Sequence, residues 1–193
     1  YELLFNMKFI NQTLSEISDN FNNLAKKSVP QIEEASKLII KSLKNGGKIM
    51  FCGNGGSAAD AQHLSAELVV KFLKKRKPLA SIALTTDTSV LTAIGNDFTF
   101  DEIFSRQIES IGNKDDVLYA ISTSGKSKNI IAALRAAKKR KIKTIGVTGA
   151  KKSSFDELCD VIISVPAKRP DRIQEMHIAV GQILCEILES NLC

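Results

Sequence analysis

A histidine and a glutamate four positions apart, His63 and Glu67, are the side chains of this sequence best suited to move a proton or to bind a metal ion. In a helix, a spacing of four positions goes only about 40° beyond a full turn, so the imidazole and the carboxylate lie on one face. Taken alone, such a pair is more often an exposed polar pair than a reactive site. The neighbouring residues therefore decide between the two interpretations.

A glycine-rich turn, GNGGS at residues 53–57, comes directly before this pair. The apolar run at residues 48–52 is typical of a buried parallel strand, and the residues from 58 to about 70 favour a helix. The three glycines allow positive φ, and Ser57 is a good N-cap. Unpaired N–H groups and the positive helix end converge at such a turn, which predicts an anion site. Similar turns also occur in α/β proteins that bind no ligand there.

A second polar turn follows the strand predicted at residues 116–121 and precedes the helix predicted at residues 129–139. It reads STSGKS at residues 122–127, with four hydroxyl groups in six positions. Many neutral hydrogen-bond donors suit a phosphate monoester. A nucleotide is less consistent with this sequence, because neither GxGxxG nor GxxxxGK[ST] follows a predicted strand. The alternative is an ordinary serine-rich loop.

Strands and helices alternate along the chain, which predicts a parallel sheet covered by helices on both faces. The strands are predicted at residues 48–52, 79–84, 116–121, 143–147 and 161–165. The helices are predicted at residues 3 to about 28, 31–44, 58–70, after the 85–89 loop up to 94, 101–111, 129–139, 154–158 and 171–190. In such sheets, ligands bind at the carboxyl ends of the strands, where the strand order reverses. A 2-1-3-4-5 order would bring the two polar turns together there.

Two helices precede the first predicted strand, which is more than one small sheet needs. The first carries an apolar stripe over residues 3 to about 24, and Pro30 interrupts the pattern before the second. We therefore expect the first helix to pack against another subunit. Because Tyr1 is not an initiator residue, we expect the residues before Met7 to be a remnant of processing or of a longer chain.

The 193 residues suit one domain, residues 1–193, of ordinary globular composition, with 44% hydrophobic and 25% charged residues. No apolar run is long enough to span a bilayer, and no secretory signal pattern is present, so we expect a cytoplasmic protein. The four cysteines have no paired spacing, which favours neither a zinc knuckle nor a disulfide framework. We expect three of them in the core and Cys193 at the terminus.

The net charge is +6, and two basic runs, KFLKKRK at residues 71–77 and KKRKIK at 138–143, contribute much of it. Basic runs can bind nucleic acid. These lie near predicted helix ends without interleaved aromatic residues, so solvated cations near the helix dipole are the simpler interpretation. We expect a general attraction of anionic substrates and no direct nucleic-acid binding.

Four motifs, GNGGSAADAQH, AIGND, ISTSGKS and RIQEMH, occur here in the order and spacing of the sugar isomerase (SIS) domain family. The sequence resembles in particular the clade of phosphoheptose isomerases and replication-initiator-associating proteins, over nearly the whole chain. The resemblance implies a three-layer α/β/α fold with a five-stranded parallel sheet of flavodoxin-like order. It also implies a homotetramer whose active sites include residues from neighbouring subunits.

The same resemblance implies roles for individual residues of this chain. Glu67 would be the base, with His63 beside it. The phosphate would be bound by Ser122, Thr123, Ser124 and Ser127, and the rest of the substrate by Asn54, Gly55, Gly56, Ser57, Asn96, Asp97 and Gln174. In zinc-containing relatives, the metal would lie between the residues that correspond to His63, Glu67, Gln174 and Gln182.

One position departs from the family pattern. Gln182 stands where the isomerases carry a histidine, and its neutral amide neither titrates near pH 7 nor binds zinc as well as imidazole. His177 lies five positions before it, about 140° around a helix, so it does not substitute. We therefore expect His177 to be structural or at an interface, and zinc to be weak or substoichiometric.

Two functions remain open on these grounds. The first is conversion of sedoheptulose 7-phosphate to D-glycero-D-manno-heptose 7-phosphate for lipopolysaccharide, through an enediol. The intact GNGG, AIGND and STSGKS motifs favour it. The second is a non-catalytic regulatory tetramer that binds a replication initiator protein, which the missing histidine favours. In the first case, His63, Asp97 or a water molecule would have to move the second proton.

Overall fold

The computed structural model describes residues 7–149 and 152–193, and within them the chain forms five strands and seven α-helices. The strands are β1 (Ile49–Gly53), β2 (Ser81–Ala83), β3 (Val117–Ile121), β4 (Lys143–Thr148) and β5 (Val161–Ser164). The helices are α1 (Met7–Lys27), α2 (Val29–Lys44), α3 (Gly56–Val69), α4 (Thr88–Asp97), α5 (Ser105–Ile111), α6 (Lys128–Lys139) and α7 (Pro170–Leu192). A short 3₁₀ helix, Phe100–Glu102, precedes α5.

The five strands form one parallel sheet in the order β2-β1-β3-β4-β5, as the sequence predicted. Every residue of β1 and of β3 is buried, which explains why both are continuous apolar runs. Gly53, the last residue of β1, pairs with Ile121, the last residue of β3. The glycine turn and the hydroxyl-rich turn therefore leave the sheet side by side.

Helices cover both faces of the sheet, and alternate residues of each strand point to opposite layers. Phe51 and Tyr119 face a core formed with α2, α3 and α7, whereas Met50 and Leu118 face a core formed with α4, α5 and α6. The period of two along each strand divides the apolar side chains between these cores. The three-layer α/β/α architecture is thus confirmed.

Helix α1 packs against α2 and α7, outside the layer that covers the sheet. Pro30 lies in the first turn of α2, where the backbone N–H groups have no helical partner, so the N–H that proline lacks is not missed. Helix α2 therefore includes Pro30 and begins at Val29, two residues earlier than predicted. The prediction of a helix start near residue 3, and that about the residues before Met7, lie outside the described residues.

Three elements differ from their predicted bounds. Helix α4 continues through Asp97, so the AIGND motif is helical, and the helix predicted at residues 101–111 is divided by a break before α5. Residues 154–158 form turns rather than a helix. There, the N–H groups of Leu158 and Cys159 both bond to the Phe155 carbonyl, and the buried Phe155 ring packs beside Gly146 of β4. Burial of the Phe155 ring against β4 therefore determines the backbone here, and the predicted helix does not form.

All four cysteines are free, with Cys52 and Cys185 buried, Cys159 partly buried and Cys193 exposed. None of the helices described here has the length and apolar character that a membrane crossing requires. The cytoplasmic location stays a prediction.

Candidate active site

The glycine turn after β1 connects the sheet to α3. Gly55 is the N-cap of α3 with φ of 55°, a backbone conformation that favours glycine. Ser57 is not the N-cap that the sequence suggested. It is the second residue of the helix, 3% exposed, and its N–H donates to the Asn54 carbonyl. This burial leaves the Ser57 hydroxyl little surface for a ligand.

Gly56 brings the last helix of the chain to this turn. A Cβ atom built on Gly56 would lie 2.7 Å from Nε2 and 3.0 Å from Oε1 of Gln174. Only a residue without a side chain permits this approach. The Gln174 amide therefore lies against the glycine turn, although 118 residues separate the two in sequence.

His63 and Glu67 face each other on α3, as their spacing predicted. The distance from His63 Nε2 to Glu67 Oε1 is 3.0 Å, and the side chains are 49% and 25% exposed. An imidazole and a carboxylate in hydrogen-bond contact, open to solvent on one side, can accept and return protons of a bound ligand.

Asp60 lies one turn before His63 on the same helix, and the sequence reasoning missed it. Its Oδ2 atom is buried and has no hydrogen-bond partner among residues 7–149 and 152–193. Burial raises the pKa of Asp60 to about 6, and the charge of His63 opposes this shift. The sequence feature that could have identified Asp60 is its position three residues before His63, which places both side chains on one face of α3.

The hydroxyl-rich turn after β3 is folded by its own side chains. Ser122 Oγ lies 3.2 Å from Ser127 Oγ and accepts the N–H of Gly125, also at 3.2 Å. Ser124 Oγ accepts the N–H of Lys126 at 3.2 Å. Ser127 is the N-cap of α6 and makes no side-chain cap hydrogen bond, so its hydroxyl, which contacts Ser122 Oγ, leaves the N–H groups at the positive end of that helix open to a ligand.

The two turns are joined by a pair of amides. Asn54 Nδ2 donates to Asn129 Oδ1, and Asn129 Nδ2 donates to Asn54 Oδ1, both at 2.8 Å. Asn129 lies in the first turn of α6 and is 1% exposed. The sequence reasoning assigned Asn54 to the sugar and did not identify Asn129.

Asn96 and Asp97 lie at the end of α4 that is remote from β2. They are exposed at the end of α4, where Asn96 Nδ2 donates to Asp97 Oδ1 at 2.8 Å. Ten helical residues extend about 15 Å, so this end of α4 lies far from the start of the helix, which follows β2.

His177 and Gln182 lie on α7. His177 is 1% exposed, and among the described residues neither ring nitrogen has a hydrogen bond of standard geometry. Burial lowers its pKa to about 4, and the nearby backbone of Thr148 opposes this shift. Gln182 is partly buried. His177 thus remains a neutral core residue, in line with the structural role expected for it.

The donors at this site do not fit a tight zinc centre. Within the described part of the chain, no three His, Cys, Asp or Glu side chains come together as a metal site. The expected set contains one imidazole, one carboxylate and the amides of Gln174 and Gln182, which are weaker zinc ligands. No step of the chemistry below is therefore assigned to a metal ion.

One part of the first basic run is not solvated. The Arg76 side chain is only 3% exposed and forms an ion pair with Glu189, in the last turns of α7. The expectation that residues 71–77 are surface cations is therefore wrong for Arg76. No local pattern could reveal this, because its partner lies 113 residues away.

Parallel strands whose order reverses beside two polar turns at the carboxyl edge define a doubly wound α/β domain, in which ligands typically bind at that edge. The model of the SIS domain matches residues 13–149, and the chain belongs to this family, as its motifs indicated. Its relatives include the phosphoheptose isomerase of Rhodospirillum rubrum, 54% identical over 85% of this chain and 87% of that protein. The phosphoheptose isomerase of Nitratiruptor sp. is 49% identical over 96% of this chain and 99% of that protein.

Solved structures agree with the sequence relatives. Phosphoheptose isomerase GmhA from Neisseria gonorrhoeae superposes with a TM-score of 0.90 at 41% identity, over 95% of this chain and 98% of that one. A phosphoheptose isomerase from Francisella tularensis gives a TM-score of 0.92 at 35% identity, over 96% and 98% of the two chains.

Proposed function

We propose that this protein is an aldose–ketose isomerase that converts sedoheptulose 7-phosphate to D-glycero-D-manno-heptose 7-phosphate. The observation that carries the proposal is the position of the His63–Glu67 pair on α3, the helix that follows the glycine turn. That turn leaves the sheet beside the hydroxyl-rich turn, with Gly53 paired to Ile121. The extensive similarity to phosphoheptose isomerases supports the choice of substrate.

In this proposal, the hydroxyl-rich turn holds the phosphate. Ser122, Thr123, Ser124 and Ser127 supply hydroxyl groups, and the α6 N-terminus supplies orphan N–H groups. Charged acceptors strengthen such hydrogen bonds. The sugar then extends from the turn towards α3, past the Gln174 amide that lies against Gly56.

Glu67 removes a proton from the carbon next to the carbonyl and returns it to the neighbouring carbon, through an enediol. A carboxylate in hydrogen-bond reach of the reacting carbon is suited to this step. His63, 3.0 Å from Glu67, is placed to move the proton between the two oxygens. Asp97 or a water molecule is the alternative for this second transfer. The heptose phosphate produced would serve lipopolysaccharide synthesis.

We further propose that the protein is a homotetramer. Helix α1 exposes Met7, Phe9, Ile10 and Leu14, with between 50% and 76% of each accessible. An apolar groove of about 460 Å³ lies beside it, between α1, α2 and α7. A second copy would cover both surfaces and would also bring Asn96 and Asp97 of a neighbour towards a site. Deletion of residues 1–28 should give smaller or aggregated species in light scattering, whereas a monomeric full-length protein would contradict the proposal.

The direct test of the reaction is incubation of the purified protein with sedoheptulose 7-phosphate, followed by detection of the aldose. Glu67→Gln should abolish turnover without unfolding the chain. The alternative function, a regulatory tetramer that binds a replication initiator protein, is favoured by Gln182 alone. Absence of turnover in the wild-type protein, together with intact sugar-phosphate binding, would favour that alternative.

A further inference from the structure

A buried ion pair connects the loop after α3 to the end of α7. Arg76 Nε lies 3.0 Å from Glu189 Oε1, and the two side chains are 3% and 2% exposed. Neither residue belongs to the turns that would hold the substrate. A buried ion pair is costly to form unless further hydrogen bonds satisfy both partners, so its other contacts indicate what it does.

The Glu189 carboxylate organises the loop. It accepts the N–H groups of Phe72, Leu73 and Lys74 at 3.1, 2.8 and 2.7 Å. Burial alone would raise the pKa of Glu189, but these three N–H groups and the Arg76 guanidinium outweigh it and lower the pKa below its ordinary value. Glu189 is therefore ionised and holds both the loop and Arg76 in place.

The Arg76 guanidinium in turn binds the end of α3. Its Nη2 donates to the Glu67 carbonyl at 2.8 Å, and its Nη1 donates to the Leu68 carbonyl, also at 2.8 Å. Both carbonyls lie in the last turn of α3, where no helical N–H is available to them. Arg76 thus caps the helix at the residue that carries the proposed base.

We propose that the Arg76–Glu189 pair is a positioning device that fixes the backbone of Glu67, so that its carboxylate stays directed at His63 and the substrate. This inference rests on the proposed function. Neither Arg76 nor Glu189 touches the reacting atoms, and both act through the α3 backbone. A displacement of about 1 Å at a catalytic group can lower the rate about a hundredfold.

The chain offers a matched control before β3, which lies on the other side of β1 from β2. Asp116, whose side chain is 2% exposed, accepts the N–H groups of Lys48 and Asn113 at 2.9 and 2.7 Å and pairs with Lys48 Nζ at 2.7 Å. It is the same kind of buried carboxylate, but it lies before the amino end of β3. The partners of Asp116 are Lys48 and Asn113, so Asp116→Asn removes an equivalent interaction that makes no hydrogen bond to α3.

The first experiment compares steady-state kinetics of Glu189→Gln and Asp116→Asn at a temperature where circular dichroism shows both to be folded. We expect kcat of Glu189→Gln to fall about ten- to a hundredfold, with KM nearly unchanged. Asp116→Asn should melt at a lower temperature than the wild type but keep its kcat.

A second variant, Arg76→Lys, retains the positive charge but loses the planar guanidinium group, and its kcat should fall in the same way. It replaces Glu189→Gln in the comparison if Glu189→Gln does not fold. Wild-type kcat in both Glu189→Gln and Arg76→Lys would overturn the proposal, as would an equal loss in Asp116→Asn.

A second readout does not depend on turnover. The chain has two histidines, and His177 is buried, so the ring signals of His63 can be distinguished in ¹³C-histidine-labelled protein. At fixed pH in chelator-treated samples, these signals should shift in Glu189→Gln and in Arg76→Lys but not in Asp116→Asn. If the wild-type protein proves inactive, the proposed function fails while this measurement still decides the positioning role. Unchanged His63 signals in both variants would then overturn it.

Discussion

Asn54 and Asn129 exchange two hydrogen bonds of 2.8 Å through their side-chain amides, across the carboxyl ends of β1 and β3. Asn54 follows β1 in the glycine turn, and Asn129 lies in the first turn of α6. One amide pair therefore sets the distance between the two turns that a sugar phosphate would bridge. Because each amide satisfies one donor and one acceptor of the other, the crevice can be organised before a ligand arrives.

Asn129→Leu should destabilise the protein by about 1–3 kcal/mol, because the partly buried Asn54 amide loses both of its hydrogen bonds to Asn129. Urea denaturation measures this loss. The control is Asn96→Ala, which removes an exposed amide and should change stability by less than about 0.5 kcal/mol. Equal stabilities of Asn129→Leu and the wild type would show that the amide pair does not hold the two turns together.

Ser124→Ala should weaken sugar-phosphate binding about tenfold, the equivalent of losing one hydrogen bond to a charged acceptor. The folded state should be little affected, because Ser124 is exposed and, within residues 7–149 and 152–193, its hydroxyl accepts only the N–H of Lys126. Calorimetric titration tests this, with Ser190→Ala at the far end of α7 as the control. If Ser124→Ala binds as tightly as the wild type, the phosphate lies elsewhere.

Gln182→His introduces an imidazole on α7 at the position for which the family resemblance implies histidine. In the wild-type protein, the expected zinc ligands are His63, Glu67, Gln174 and Gln182. Because this set contains only one imidazole, the purified wild-type protein should hold substoichiometric zinc. Zinc occupancy and turnover should rise together in the variant, the latter about a hundredfold, because general acid–base catalysis typically contributes that much. Metal analysis and a turnover assay on the same samples provide the measurement.

The control for this substitution is Ser190→His, which adds a histidine at an exposed position near the end of the same helix. It should change neither zinc occupancy nor turnover. The regulatory alternative expects Gln182→His to bind zinc more tightly but to remain inactive. A wild-type protein that already binds zinc fully and isomerises rapidly would contradict our account of Gln182, and the proton transfer would belong to another residue.

His177 should make folding sensitive to acid. Burial lowers its pKa from 6.5 to about 4, so between these values the unfolded chain binds a proton that the folded chain does not. The stability that neutral His177 contributes is therefore complete above pH 6.5 and is lost as the pH falls towards 4. At about 1.4 kcal/mol per pKa unit, the loss amounts to about 3 kcal/mol.

Urea titrations of the wild type and His177→Gln at a series of pH values check this. The free energy of unfolding of the wild type should fall relative to that of the variant across the same window. The raised pKa of Asp60 acts in the opposite direction between pH 6 and 4, but it is common to both proteins and cancels in the difference. Parallel pH profiles of the two proteins would mean that His177 is not held neutral.

Local patterns predicted much of this protein because their physical causes are local. The four-residue spacing of His63 and Glu67 fixes their contact as soon as α3 forms. The apolar runs of β1 and β3 predicted buried strands because a parallel sheet is covered on both faces. Alternation of strands and helices then restricted the topology, and the 2-1-3-4-5 order is the one observed.

Where local propensity met tertiary packing, the predictions went wrong. Ser57 has a favourable residue type for an N-cap, but Gly55 takes that position because the turn needs a positive φ there. Arg76 lies in a basic run that predicts solvent exposure, yet the Glu189 carboxylate buries it.

By itself, the sequence determined the strands and most of the helices, the two polar turns and the contact between His63 and Glu67, since each depends on neighbours within a few residues along the chain. The tertiary structure alone decided the Asn54–Asn129 link, the approach of Gln174 to Gly56 and the Arg76–Glu189 pair. The partners in these three contacts lie 75, 118 and 113 residues apart. Such partners are chosen by how the helices pack across the sheet, which no local periodicity records.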